Sequence, residues 1–149
     1  MRRENVKMTW SRREVCAALP ALLAACQASA QARATLPSKI YQLDQLEEHT
    51  SGSVAIRNMF NGPIFEGTTI SLHESDLAPH SAPHPPHRHR HEEMVFVREG
   101  ALEFTLNGVP TRAGTGSVLF AGSNDLHGIR NPEDTHAKYF VLALGPENQ

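Results

Sequence analysis

Residues 81–100 read SAPHPPHRHRHEEMVFVREG. The first half is a loop of prolines, histidines and arginines. The second half opens with two carboxylates and runs into the apolar stretch Met94–Val97, closed by Glu99-Gly100. In an extended chain, residues i and i+2 face the same side. His87 and His89 can therefore aim both imidazoles into one interior. Glu93 then stands at the head of an apolar strand, where a carboxylate is costly unless it is paired or bound to a metal. His127 begins a later strand, after the turn-rich Gly122-Ser123-Asn124-Asp125. Three imidazoles and one carboxylate form an N₃O₁ donor set. That set suits a divalent transition metal, Fe, Mn, Ni, Cu or Zn, and not all-thiolate chemistry. Taken alone, the run HRHRH also describes a solvated loop that binds metals adventitiously. The distant His127, in a spaced context of its own, argues against that reading.

Outward from this stretch the punctuation is all turns. Val54–Phe60 is a short run closed by Asn61-Gly62-Pro63, and Phe65–Leu77 holds two β-rich pieces around Gly67. Ala101–Leu106 alternates, with Leu102, Phe104 and Leu106 on one face, and ends in Asn107-Gly108, a strong two-residue hairpin signal. Val118–Phe120, Leu126–Asn131 and Ala137–Leu144 complete the set. Short strands with turns every 8–12 residues predict an all-β sandwich or barrel. Before them, Lys39–Glu48 places apolar residues at 40, 43 and 46, a short helix-like spacing. It equally suits an arm laid across a neighbouring subunit.

The spacing in residues 81–100 resembles the first motif of the cupins, G-x5-H-x-H-x3-E-x6-G. Ser81 stands in for the leading glycine, and His87, His89, Glu93 and Gly100 fall in register. Residues 116–131 resemble the second motif, G-x5-P-x-G-x2-H-x3-N, with Gly116, His127 and Asn131 in register. Gly122 and Asn124 replace the motif's proline and second glycine, and both tolerate a turn. The resemblance implies a double-stranded β-helix, or jelly-roll barrel, with a metal near its centre held by His87, His89, Glu93 and His127. His91 and Glu92 are the nearest substitutes should the register slip. His80, His84 and His136 match no motif position and read as loop or surface residues. Arg88 and Arg90 read as solvent or rim residues, and Arg57, Tyr139 and Phe140 as possible pocket lining.

The chain has 149 residues, enough for one domain, and a net charge of −2, unlike the basic excess of a nucleic-acid binder. Both cysteines, Cys16 and Cys26, lie in an N-terminal segment of different character. Arg2, Arg3, Lys7, Arg12 and Arg13 precede the uncharged run Val15–Ala25, and Ala28-Ser29-Ala30 follows. An 11-residue run is too short for a bilayer span, and the order of features is that of a secretory signal. Ser11-Arg12-Arg13 resembles a twin-arginine export signal, with Met8 as an alternative start to Met1. Leu23-Ala24-Ala25-Cys26 resembles a lipobox, which sets lipidation of Cys26 against cleavage after Ala30. Without residues 1–30, nine Lys and Arg face fourteen Asp and Glu, and no cysteine remains, which suits an oxidising compartment. The division expected is a signal at 1–30, an arm at 31–50 and a barrel at 51–149.

A complete donor set on a metal of five or six coordination leaves room for water, O₂ or an organic oxygen. The expectation is an exported oxidoreductase of dioxygenase type acting on a small oxygenated organic molecule, with Glu93 doubling as a proton acceptor. The alternatives are a non-catalytic metal or small-ligand binding module of the cell envelope and a metal-dependent decarboxylase. The expected partners are a small-molecule substrate or ligand and a second copy in a homodimer. No nucleic acid is expected, and a membrane only if Cys26 is lipidated.

Overall fold

The computed structural model describes residues 35–145. The predicted signal, with its twin arginines, Cys26 and Ala30, lies outside them. Nine strands follow in order: β1 (Glu48–Ser51), β2 (Val54–Pro63), β3 (Thr69–Leu77), β4 (Glu92–Glu99), β5 (Ala101–Leu106), β6 (Val109–Gly114), β7 (Val118–Ala121), β8 (His127–Arg130) and β9 (Ala137–Leu144). Among the described residues the helical pieces are two single 3₁₀ turns, Leu43–Gln45 and Phe65–Gly67. The helix-like spacing at 40, 43 and 46 thus yields one turn and not a helix, because a stretch this short gains too little to offset nucleation.

All pairings are antiparallel. One sheet runs β1-β2-β3-β9-β4-β7 and the other β6-β5-β8. This is the jelly-roll barrel expected from the sequence. The β5–β6 hairpin turns at Asn107-Gly108, both with left-handed φ (49° and 86°), as a type I′ turn requires. Between the sheets lies the core: Val54, Leu77, Val95, Val97, Ala121, Tyr139 and Val141 from the larger sheet, Leu102, Phe104, Ala113 and Ile129 from the smaller. Burial of each large side chain here contributes about 1.5–3 kcal/mol.

The long connection 78–91 carries the histidines, and three contacts fix it. His87 pairs with His127 as an isolated antiparallel bridge, with His87 N donating to His127 O at 2.9 Å and His127 N to His87 O at 3.0 Å. Pro86 lies so close to Gly128 that a Cβ there would come within 2.9 Å of its ring, which is why β8 has a glycine at that point. Asn131, fully buried, knits the base of the connection. Its Nδ2 lies 3.1, 3.1 and 2.8 Å from the carbonyls of Leu77, Ala78 and Thr135, and its backbone N donates to Ser81 O. The last position of the second motif is thus a structural clamp.

Replacing Asn131 by Asp swaps a donor for an acceptor among three buried carbonyls. The expected cost is about 3 kcal/mol, a fall in Tm on the order of 10 °C in thermal unfolding.

Candidate metal centre

Register sorts the side chains of the larger sheet into two sets. On β4, Val95 and Val97 are buried, so Glu93 shares their inward face. Glu92 has the opposite parity, which removes it as the substitute ligand. On β3, His73, Ser75 and Leu77 face inward, and on β9 Tyr139, Val141 and Ala143 do. β8 brings in His127 and Ile129. The bridged loop adds His87 and His89 from across the barrel mouth.

These choices converge. The ring centres of His87, His89 and His127 are 4.5–5.1 Å apart, and the ligand atoms of the three residues lie within 4.8 Å of one another. Glu93 reaches both of the deeper imidazoles: Oε2 is 3.6 Å from His89 Nε2, and Oε1 is 3.8 Å from His127 Nε2. A second grouping, His89, His91 and Glu93, is equally compact, with the His91 ring stacked on that of His89 at 3.6 Å.

The second nitrogen of each deep imidazole is fixed by backbone. His89 Nδ1 lies 2.9 Å from His91 O, and His127 Nδ1 lies 2.9 Å from Asp125 O. A carbonyl can only accept, so each Nδ1 carries the proton and each Nε2 presents a lone pair. Both Nε2 atoms are buried and make no hydrogen bond, as does His87 Nδ1. Buried polar atoms are rarely left so, and an orienting carbonyl behind a free nitrogen is the usual second shell of a metal-binding imidazole. The donor set fits a divalent transition metal. Its hard–soft character does not select among Fe, Mn, Ni, Cu and Zn.

His87 has its pKa held below the ordinary 6.5, chiefly by burial and further by His84, His127 and His89, against the opposing pull of Glu93. That favours the neutral, metal-competent form. Tyr139 has its hydroxyl pushed up to about 12 by burial, with a side-chain hydrogen bond to Ser75 opposing and the charge of Glu93 adding.

Beside Glu93 opens a cavity of about 240 Å³. Val54, Ile56, Ile129 and Val141 form its apolar wall; His73, Ser75 and Tyr139 are its polar groups. His84 is exposed in the loop, as its place in the sequence implies, and also lines this cavity, packing edge-on against the His87 ring at 4.2 Å. His80 and His136 sit on the surface as well, with Asp134 and Asp76. Arg88 and Arg90 are exposed, and Arg88 donates to Asn124 O. Of the three residues expected as lining, Tyr139 is in the cavity, whereas Arg57 and Phe140 share the outer parity of the sheet. His73 and Ser75 escaped the sequence reading. The signal that finds them is two-residue parity once the register of β3 is fixed by Leu77.

An all-β barrel holding a compact His/His/His/Glu cluster is the architecture of the cupins. Residues 73–143 match the family model described as Cupin domain (Cupin_2). Solved cupins share the fold. An RmlC-like cupin from Shewanella frigidimarina is 16% identical, with 76% of this chain and 96% of that one covered and a TM-score of 0.64. KdgF from Halomonas sp. is 18% identical, covering 73% and 96%, TM-score 0.64. A predicted oxalate decarboxylase from Thermotoga maritima is 17% identical, covering 72% and 100%, TM-score 0.61. No curated protein matches the sequence.

The lowered pKa of His87 sets a pH dependence. Below about 6.5 the unfolded chain takes up a proton that the folded chain refuses, so folding stability falls as pH drops through that value. Thermal melts of metal-free protein from pH 8 to pH 5.5 should show a declining Tm. His87→Gln should flatten the decline.

Proposed function

We propose that the chain is an exported, single-domain, metal-dependent oxidoreductase of dioxygenase type. In this reading His87, His89, Glu93 and His127 hold one divalent transition metal. The observation that supports it is the pair of buried Nε2 atoms on His89 and His127, free of hydrogen bonds and turned toward the Glu93 carboxylate. A bound metal would supply Lewis acidity and a template for O₂ and an organic oxygen donor.

The chain's own groups do the rest. The carbonyls of His91 and Asp125 hold the two imidazoles in one tautomer. The side chains of Val54, Ile56, Ile129 and Val141 give the reacting molecule an apolar wall beside Glu93. Glu93, with its side chain 14% exposed, is placed to accept a proton from a substrate hydroxyl or an enolisable C–H. The un-ionised Tyr139 hydroxyl is a polar group of the same lining.

Export rests on the signal-like residues 1–30, and a homodimer is favoured by the apolar Val118 and Phe120 exposed on the edge strand β7. Mass spectrometry of the exported protein should find a chain beginning at Gln31. Acyl mass on Cys26 would instead make it a lipid-anchored protein.

Elemental analysis of protein from its native host should find one metal per chain, and His127→Ala should remove most of it; unchanged metal content in the variant would refute the ligand assignment. Metal-loaded protein should consume O₂ with at least one member of a panel of catechols, diketones and flavonols. Retained metal with no O₂ uptake across the panel would turn the reading to a non-catalytic ligand-binding module. CO₂ release without O₂ uptake would turn it to a decarboxylase.

A further inference from the structure

The cavity carries more information than its place beside the cluster. Glu93 is part of its lining, together with the apolar side chains of Val54, Ile56, Ile129 and Val141. Ser75 and Tyr139, which hydrogen-bond with each other, add two hydroxyls; by register Tyr139 pairs with Val97, four residues along β4 from Glu93. Tyr139 is 2% exposed and Ser75 2%, so this pair is a buried feature of the fold and not a chance surface contact.

We infer that the cavity takes a compact, uncharged oxygenated molecule with an apolar body, one oxygen directed at the His/Glu cluster and a second held by the Ser75–Tyr139 hydroxyl pair. The inference rests on the metal-site reading above and narrows it to a substrate class.

Three observations carry this. Size comes first. A space of about 240 Å³ filled at the density of a protein interior holds a molecule of roughly ten non-hydrogen atoms, the bulk of a single substituted ring. Polarity comes second. Hydroxyls can donate to or accept from a carbonyl, ether or alcohol oxygen, and two hydroxyls in an apolar wall are enough to orient such a molecule. Charge comes third. Among the described residues lining the cavity none is Lys or Arg, and Glu93 already places one negative charge there. A carboxylate on the ligand would be buried without a permanent cation beside the hydroxyl pair, at a cost a neutral oxygen avoids. The cations of the outer sheet face, Arg57, Arg98 and Lys138, line a different depression on the other side of the sheet. The two groups that could acquire positive charge in the cavity are the imidazoles of His73 and His84, so the test belongs at pH 8, above the range of an ordinary imidazole.

The probes are single-ring aryl ketones and phenols, each beside the aryl carboxylate of the same size, titrated calorimetrically into full-length zinc-loaded protein. The uncharged members should bind at least tenfold more tightly than their carboxylate counterparts. Tyr139→Phe keeps the ring that packs the core and removes the hydroxyl. It should weaken the best uncharged probe by about tenfold while metal stoichiometry and Tm stay near those of the parent. Ser75→Ala should act in the same direction. Carboxylates binding as well as or better than their partners, uncharged members failing to bind, or Tyr139→Phe leaving affinity unchanged would each overturn the substrate class with the metal reading intact. Failure to retain zinc would overturn both, and the stoichiometry measured before each titration separates the two failures.

Discussion

The site depends on one reciprocal pair of backbone hydrogen bonds, between His87 and His127. It sets the height of the connection 78–91 against β8 and so brings the histidines of the loop to the one on the strand. The bridge is short because everything near it is arranged to let the loop approach. Gly128 removes the Cβ that would strike Pro86. The prolines at 83, 85 and 86 stiffen the approach and present few N–H groups that would need partners. Asn131 closes the other end by tying three carbonyls from two connections to one side chain. A weak motif in energetic terms, a two-bond bridge, is thus held by neighbours that make slippage expensive.

The larger sheet serves two environments at once, and its strands show the compromise. Its outer face carries an apolar row laid across five strands by register: Phe120, Met94, Leu142, Leu72 and Phe60. Tyr41 from the N-terminal arm packs on Phe60 at 5.5 Å between ring centres. Beside this row the face turns ionic. Glu74, 1% exposed, is held between Arg57 at 3.1 Å and Arg98 at 2.9 Å, and Arg57 also contacts Glu48. A buried carboxylate is tolerated only when so paired. The cations are spent on the outer face, and the inner cavity is left with imidazoles and hydroxyls.

The sequence told more about the site than about the sheet faces. The barrel was legible because strand punctuation is local: Asn107-Gly108 forces a hairpin whatever surrounds it. The four clustered residues were legible because their chemistry is expensive to bury without purpose, and because His87 and His89 share parity in any extended conformation. The assignment of Glu93 over Glu92 followed from spacing, and the opposite parities of the two on β4 give the physical reason. What was not legible lies on β3. Its apolar residues Ile70 and Leu72 share the outer parity, while Ser71, His73 and Ser75 share the inner one. Alternation alone therefore reads the strand inside out, and only Leu77, packed in the core, fixes the correct phase. His84 is the exposed loop residue that the sequence implies, but its contact with the cavity was not legible. Its place at the cavity follows from the His87–His127 bridge, a contact across forty residues that no local pattern encodes. The helix-like spacing at 40, 43 and 46 failed because periodicity over three positions carries no nucleus.

The orientation of the deep imidazoles is a local matter, and this bears on how the site can be ready before any metal arrives. His89 is held by the carbonyl of His91, and His127 by the carbonyl of Asp125, each two residues away along its own segment. Neither imidazole relies on a distant partner for its tautomer. The distant contacts decide only where the two segments meet. Division of labour of this kind makes the donor set preorganised: ring direction comes from the nearest backbone and ring position from the bridge. The cost is three polar nitrogens buried without partners and a carboxylate 3.6–3.8 Å from two of them. In a barrel whose core is otherwise largely apolar, that cost marks the cluster as a place able to hold a metal.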